Sequence, residues 1–295
     1  MRIHCIRLIR GTAVCLLVWI LAPCAAVLAQ EAPEDDESAL AIQPQKGDGV
    51  IEEGEDEIAE LARAVQNPVA NLISVPIQNN TTFKFGPQEE VQNVANIQPV
   101  WPFRISQSWN FITRTILPIV SQPPFLPDQD RTTGLGDTVF TGFFSPAKAS
   151  KVIWGAGPAI QIPTSTDDRL GLGEWALGPS AVFLGMPGNF VVGALVNNVW
   201  NLGGDTDINF FFSQVFVNYN LSGGWYLITA PIITANWEAE SGSQWTVPVG
   251  GGAGKVFVVG KQPMNVNFQV YYNVEKPDFV GDWSSRIQVQ FMFPK

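Results

Sequence analysis

The residues best able to do chemistry crowd one end of this chain. The only histidine, His4, and all three cysteines, Cys5, Cys15 and Cys24, lie within the first 24 of 295 residues. Everything beyond them lacks an imidazole base, a thiolate nucleophile, a disulfide and any thiolate or imidazole metal site. Carboxylates remain: Asp167 beside Asp168, and Asp205 near Asp207, are the pairs a carboxylate-only hydrolase would use. Their loop setting reads instead as solvated surface. The glycine run from Gly250 to Gly254 lacks the Lys-Ser/Thr of a phosphate-binding loop and runs into a strand, so small residues easing sheet curvature account for it. The sequons at Asn79, Asn80 and Asn220 carry little weight, and no basic footprint for nucleic acid is present. The sequence therefore predicts a protein that is not an enzyme and uses no metal or cofactor.

The first residues explain where the reactive side chains went. Arg2, Arg7 and Arg10 precede an apolar run from Thr12 to Leu21, and Val27-Leu28-Ala29 ends a small-residue stretch. That order is a secretory signal peptide over 1–29, cleaved after Ala29; the run is shorter than the roughly twenty residues a retained helical anchor needs. A lipoprotein box at Leu21-Ala22-Pro23-Cys24 is the alternative, weakened by the proline before the cysteine. The formal charge of -10 is also local. Twelve acids between Glu31 and Glu60 face Lys46 alone, and from residue 61 onward 13 basic residues stand against 15 acidic ones. A run this acidic, with no aromatics, cannot bury enough apolar surface to offset chain entropy, so 30–57 reads as a disordered acidic linker. A calcium-binding or partner-docking tail is the functional alternative, without EF-hand ligand spacing to support it.

Beyond about residue 72 the pattern has period two. Val266, Phe268, Val270, Tyr272 and Val274 alternate with Asn265, Asn267, Gln269, Tyr271 and Asn273; Ile287, Val289, Phe291 and Phe293 alternate with Arg286, Gln288 and Gln290. Strands follow, each with one apolar face and one amide face. Twelve candidates are read near 72–85, 91–103, 108–120, 134–145, 151–162, 175–186, 189–201, 208–220, 224–237, 244–259, 264–274 and 283–293. The apolar faces could be covered by a protein core, as in a soluble sandwich, or by lipid. Length decides for lipid, because soluble strands average about five or six residues whereas a tilted strand needs about nine to eleven to cross a bilayer. Connections alternate too: long at 121–133 and 163–174, somewhat shorter at 202–207, 238–243 and 275–282, with tight turns between them. The fold class is all-β, a transmembrane antiparallel up-and-down barrel of about twelve strands over 71–295, preceded by a short periplasmic helix at 58–70. Ile58, Ala59, Leu61, Ala62 and Val65 give that helix its apolar face and Pro68 ends it. It either partly plugs the periplasmic mouth or rests on the rim.

With the apolar face toward lipid, the candidate lumen-lining residues are Lys84, Arg104, Arg114, Asn267, Gln269, Arg286, Gln288 and Gln290. The plain reading is that they satisfy one another; the sharper one is a basic wall, on the first three strands and the last, that favours anionic solutes. Trp225 and Trp237 share a face twelve residues apart, which at about 3.3 Å per residue and a tilt near 40° spans about 30 Å, enough to reach both interfacial girdles.

The run LARAVQNPVANLISVPIQNNTTFKFGP at 61–87, then NIQPVWPF at 96–103, WNFITRTILPIV at 109–120 and the ending QVQFMFPK at 288–295, resembles a bacterial family of outer-membrane transporters associated with the meta-pathway of phenol degradation, also labelled neuromedin U. The resemblance implies a porin-like barrel and a loose link to uptake of hydrophobic or aromatic compounds; the acidic segment before residue 58 is outside it. Barrel enzymes such as phospholipases and omptin-type proteases depend on histidine, which this region lacks. Two functions stay open. One is a porin-like channel for small solutes in a Gram-negative outer membrane, with both termini periplasmic and with outer-membrane lipid and the barrel-assembly machinery as partners. The other is a non-conducting structural barrel that docks a periplasmic partner through its acidic segment. Solute and oligomeric state are not specified by the sequence.

Overall fold

The computed structural model describes residues 58–148, 150–204 and 206–294. The signal segment, the acidic linker and Asp205 lie outside the described residues. A helix over 58–65 precedes twelve strands. They are β1 (Ile73–Phe85), β2 (Glu90–Ile97 with Val100–Arg104), β3 (Trp109–Gln122), β4 (Thr132–Leu135 with Thr138–Pro146), β5 (Val152–Ile162) and β6 (Ala176–Gly185). There follow β7 (Phe190–Asn201), β8 (Asn209–Asn220), β9 (Trp225–Thr229 with Ile232–Asn236), β10 (Trp245–Val259), β11 (Gln262–Glu275) and β12 (Trp283–Phe293). Each pairs antiparallel with the next, and β1 returns to β12 through ten facing residues from Ile73–Phe293 to Thr82–Ser284, so the sheet closes on itself with no free edge. All but three of the strands are continuous, and two of the three interruptions have one cause. Pro99 and Pro231 have no N–H to give the ladder, so β2 and β9 break there without losing register. In β4 the register slips by one residue between Leu135 and Val139, a bulge at which Gly136 N donates to Pro118 O at 2.9 Å.

Alternation sorts the side chains as the sequence predicts. On β11 the amides are sealed inward, Gln269 at 2% exposure, while Phe268 stands outward at 51%. The inner surface has two unlike halves, however. From β11 through β1 to β2 it is amide-rich: Asn265, Asn267, Gln269, Gln290, Gln78 and Gln98 are buried there with Arg286. From β4 to β8 it is apolar: Phe143, Val182, Leu184, Val191, Leu195 and Phe216 form one cluster. An alternating strand with hydrophobes on both faces reads as a continuous apolar run, which is why sequence pattern alone gave this half no inward face.

Short connections, at 105–108, 147–151, 186–189, 221–224 and 260–261, gather at the end of the barrel where β1 begins and β12 finishes. The longer ones, at 123–131, 163–175, 202–208, 237–244 and 276–282, gather at the opposite end, together with the 86–89 turn. These are called the turn end and the loop end below. Residues 58–72 enter the turn end. Val69, 5% exposed, belongs to the apolar cluster just described, and Ala62 and Leu72 pack with Tyr226, Val256 and Met292. Since those partners lie on β3, β4, β6 to β10 and β12, they surround the segment, and it sits inside the mouth and not on its rim.

Candidate solute chambers inside the barrel

The plugging segment is held by few polar contacts. Gln66 and Asn220 exchange amide hydrogen bonds at 2.9 and 3.2 Å, and Arg63 Nη2 donates to Gly188 O at 2.8 Å. Gly224 is bare where the helix meets β9: a Cβ there would come within 2.7 Å of Ile58 Cγ2, and its φ of 76° suits glycine. Behind the plug lie two neighbouring chambers that share part of their lining. The first, about 150 Å³, is lined by Arg114 with Gln98, Gln288 and Gln290 on its polar side and by Leu195 and Phe216 opposite. The second, about 120 Å³, has Arg286, Asn267 and Gln269 facing Tyr226, Ile228 and Ala230. Val65 and Pro68 of the plug line both.

Hydrogen bonds organise the polar half. Gln269 donates to Asn267 at 2.7 Å, Gln288 and Asn265 donate to Gln290 at 3.2 and 3.3 Å, and Tyr226 OH donates to Asn265 at 2.6 Å. Arg286 reaches from β12 across the interior. Its Nε donates to Asn80 Oδ1 at 3.0 Å, its Nη1 to Ala230 O at 2.8 Å, and its guanidinium lies 5.4 Å from the Tyr271 ring centre. Ala230 precedes Pro231, where the β9 ladder is interrupted; Arg286 takes the Ala230 carbonyl and Tyr271 Oη accepts the Ala230 N–H at 2.9 Å. Backbone groups freed by a proline inside a membrane barrel need such internal partners. At the other interruption the backbone groups find backbone partners, Gln98 N donating to Pro76 O at 2.8 Å and Thr115 N to Pro99 O at 3.1 Å, while the Gln98 side chain accepts Arg114 Nη2 at 2.6 Å. Asn218 Oδ1, buried in the second chamber, has no partner among the described residues.

Of the eight residues read as lumen-lining, Arg114, Asn267, Gln269, Arg286, Gln288 and Gln290 lie on these chambers. Lys84 and Arg104 do not, and the reading of them is corrected. The β1 ladder slips between Thr82 and Phe85, so Phe85 is buried while Lys84 sits exposed at φ 57° with its Nζ 3.2 Å from Glu89. Arg104 is the last residue of β2; it is exposed in the turn, its Nε donating to Ser106 O at 3.3 Å. The basic wall read on the first three strands and the last thus reduces to Arg114 and Arg286. Trp225 and Trp237 both face outward at opposite ends of β9. Lys255 Nζ lies 4.8 Å from the Trp225 ring centre, and Trp237 Nε1 donates to Asn198 Oδ1 at 3.0 Å.

The loop end has an aromatic cluster of its own, which the sequence did not announce. Phe85, Phe125 and Phe279 stack edge to face at 5.7–6.2 Å and tie three connections together, with Gly86 N donating to Phe279 O at 2.7 Å. Asp137, just past the β4 bulge, anchors the 163–175 loop by accepting from Leu172 N (2.7 Å), Gly173 N (3.0 Å) and Ser165 N (3.2 Å). Among the described residues no cluster of His, Cys, Asp or Glu is placed to hold a metal ion.

The sequence matches no protein-family model and no curated protein. Solved structures are similar to it in fold. An outer membrane channel from Pseudomonas putida F1 is 17% identical and aligns with a TM-score of 0.57 over 75% of this chain and 94% of that one. The monoaromatic hydrocarbon channel CymD is 8% identical, with a TM-score of 0.43 over 80% of this chain and 90% of its own. An outer membrane phospholipase from Salmonella typhi, a dimer with bound calcium, is 14% identical, with a TM-score of 0.39 over 76% and 90%. The first likeness shows that the closed barrel of this chain has the architecture of an outer-membrane barrel.

Proposed function

We propose that this protein is a porin-like channel of a Gram-negative outer membrane that passes small solutes, hydrophobic or aromatic compounds among them, and that it performs no enzymatic reaction. It would sit with both termini in the periplasm, reach the membrane through the barrel-assembly machinery, and belong with the phenol meta-pathway transporters that its motifs resemble. The observation that carries this reading is the pair of neighbouring solute-sized chambers inside a closed barrel whose outward side chains are apolar. Exposed aromatics at both strand ends, Trp101, Trp154 and Trp225 toward the turn end and Trp200, Trp237 and Trp283 toward the loop end, suit the two interfaces of a bilayer. Lipid is the only surrounding that makes so much exposed apolar surface favourable. Single-channel recording in planar bilayers is the test: stable unitary steps from folded protein are expected, and silence under every applied voltage overturns the channel.

A second reading is favoured by one observation. The chambers are small and the plug fills the turn end, which suits a barrel closed at rest that docks a periplasmic partner through its acidic segment. Silent bilayers together with specific capture of one periplasmic protein, lost when residues 30–57 are made neutral, would support that alternative.

A further inference from the structure

We propose that the chamber beside Arg114 is a binding site for a small organic monoanion, a carboxylate with an apolar tail; this deepens the channel reading and rests on it for how the solute reaches the site. A guanidinium stays protonated whatever its surroundings, and its burial without an anion is costly. Ion pairs among the described residues, Lys84–Glu89, Arg131–Glu90, Arg169–Asp167 and Lys276–Asp282, all belong to residues at or near the loop end. None involves Arg114 or Arg286. Arg114 gives one N–H to Gln98, of the five that a guanidinium offers.

Arg286, by contrast, is engaged by Asn80, Ala230 O and the Tyr271 ring. Its part is to hold the wall and to add a second positive charge beside the first chamber. Gln98, Gln288 and Gln290 bring amide groups to the same side as Arg114. Opposite them stand Leu195 and Phe216, with Val65 of the plug beneath.

This two-sided lining decides the chemistry. An inorganic dianion would leave the Leu195–Phe216 wall against nothing it can desolvate. A neutral hydrocarbon would leave the guanidinium enclosed in the chamber with no anion. A carboxylate pairs with the planar fork of Arg114 through charge-assisted hydrogen bonds, while its tail covers the apolar wall.

The test uses the full chain folded in detergent and titrated calorimetrically with benzoate, with its neutral counterpart benzyl alcohol and with the tail-less acetate. Benzoate is expected to bind about tenfold or more tightly than either control, a factor typical of one charge-assisted pair or one buried apolar group. Arg114→Gln, its folding checked by heat-modifiable gel migration, should bring benzoate down to the benzyl alcohol level, and Arg114→Lys should restore part of the difference. Equal affinities for benzoate and benzyl alcohol in the wild type overturn the proposal without any variant. So does an Arg114→Gln protein that binds benzoate as before. Stable conductance with no benzoate preference would sink the anion site and leave the channel; benzoate binding by an electrically silent barrel would do the reverse.

Discussion

Val69 is the residue on which the closed turn end depends, and replacing it with aspartate should open that end. Its side chain is 5% exposed within a cluster that includes Phe143, Leu184 and Val191. Losing the buried valine costs about 2 kcal/mol, and setting an unpaired carboxylate in the same apolar pocket costs several more. What remains to hold the segment is the packing of Ala62 and Leu72 against Tyr226, Val256 and Met292, together with the Gln66–Asn220 exchange and the Arg63–Gly188 bond, each polar contact a net contribution of about 1 kcal/mol. A destabilisation of about 5 kcal/mol shifts the inserted-to-released ratio by roughly three to four decades. The strands have their own continuous ladders, so the barrel itself should stay folded and keep its heat-modifiable migration. Trypsin reads the outcome directly, because Arg63 lies in the 58–65 helix with its guanidinium bonded to Gly188. Cleavage after Arg63 should be slow in the wild type and fast in Val69→Asp, with Val69→Ala between them. If a folded Val69→Asp barrel resists trypsin at Arg63 as well as the parent does, the contacts assigned to Val69 do not hold the plug.

Arg286→Gln should lower the unfolding midpoint in denaturant, since the buried Ala230 carbonyl then loses its donor; the expected cost is about 1–3 kcal/mol, and an unchanged midpoint would refute the cross-lumen bond. Lys84→Gly should stabilise by about 1 kcal/mol because Lys84 is held at φ 57°, and its ion pair with Glu89 is too exposed to matter. Asp167 is hydrogen-bonded by Arg169, which lowers its pKa from 3.8 to about 2. Because the folded value lies below the ordinary one, the pairing stabilises the 163–175 loop at pH above about 4 and is lost as pH falls through about 2. A carboxyl titration followed by NMR should show that midpoint, and a midpoint near 3.8 would mean that the pair does not form.

Much of the barrel was legible in the sequence because lipid makes period two explicit. Segment 265–274 sets four amides and Tyr271 on one face against an apolar face, and β11 spans Gln262–Glu275 with the same faces in and out. The strands read at 189–201, 208–220 and 244–259 match β7, β8 and β10 within a residue at each end. The lumen was read less well, for two physical reasons. Alternation locates a residue only while the ladder keeps its register; the slip past Thr82 moves Lys84 off the inner face. It is also blind where both faces are apolar, so Leu195 and Phe216, which complete the Arg114 chamber, carried no signal in a strand such as FVVGALVNNVWN. The plug was half visible: its helical spacing showed an apolar face, but only the packing of Val69 says what that face meets.

The prolines that interrupt the ladder bear on how the interior works. A closed sheet in lipid has nowhere to send an unpaired carbonyl, so each break must find its partners within the barrel. At Pro231 the partner is the Arg286 side chain, and at Pro99 the partners are backbone groups of the neighbouring strands, Pro76 O and Thr115 N. The demand that repairs the backbone at Pro231 therefore draws Arg286 into the lumen, while Arg114 is held there by the Gln98 side chain, opposite an apolar wall supplied by β7 and β8. The break that a charged side chain repairs thus lies on the wall of the second chamber. It follows that Pro231→Ala should weaken the dependence on Arg286: with an N–H restored at position 231, the β9 ladder can close, and the stability lost by Arg286→Gln should be smaller in the Pro231→Ala background than in the wild type. A double-mutant cycle with no coupling between the two positions would show that the arginine is held there for some other reason.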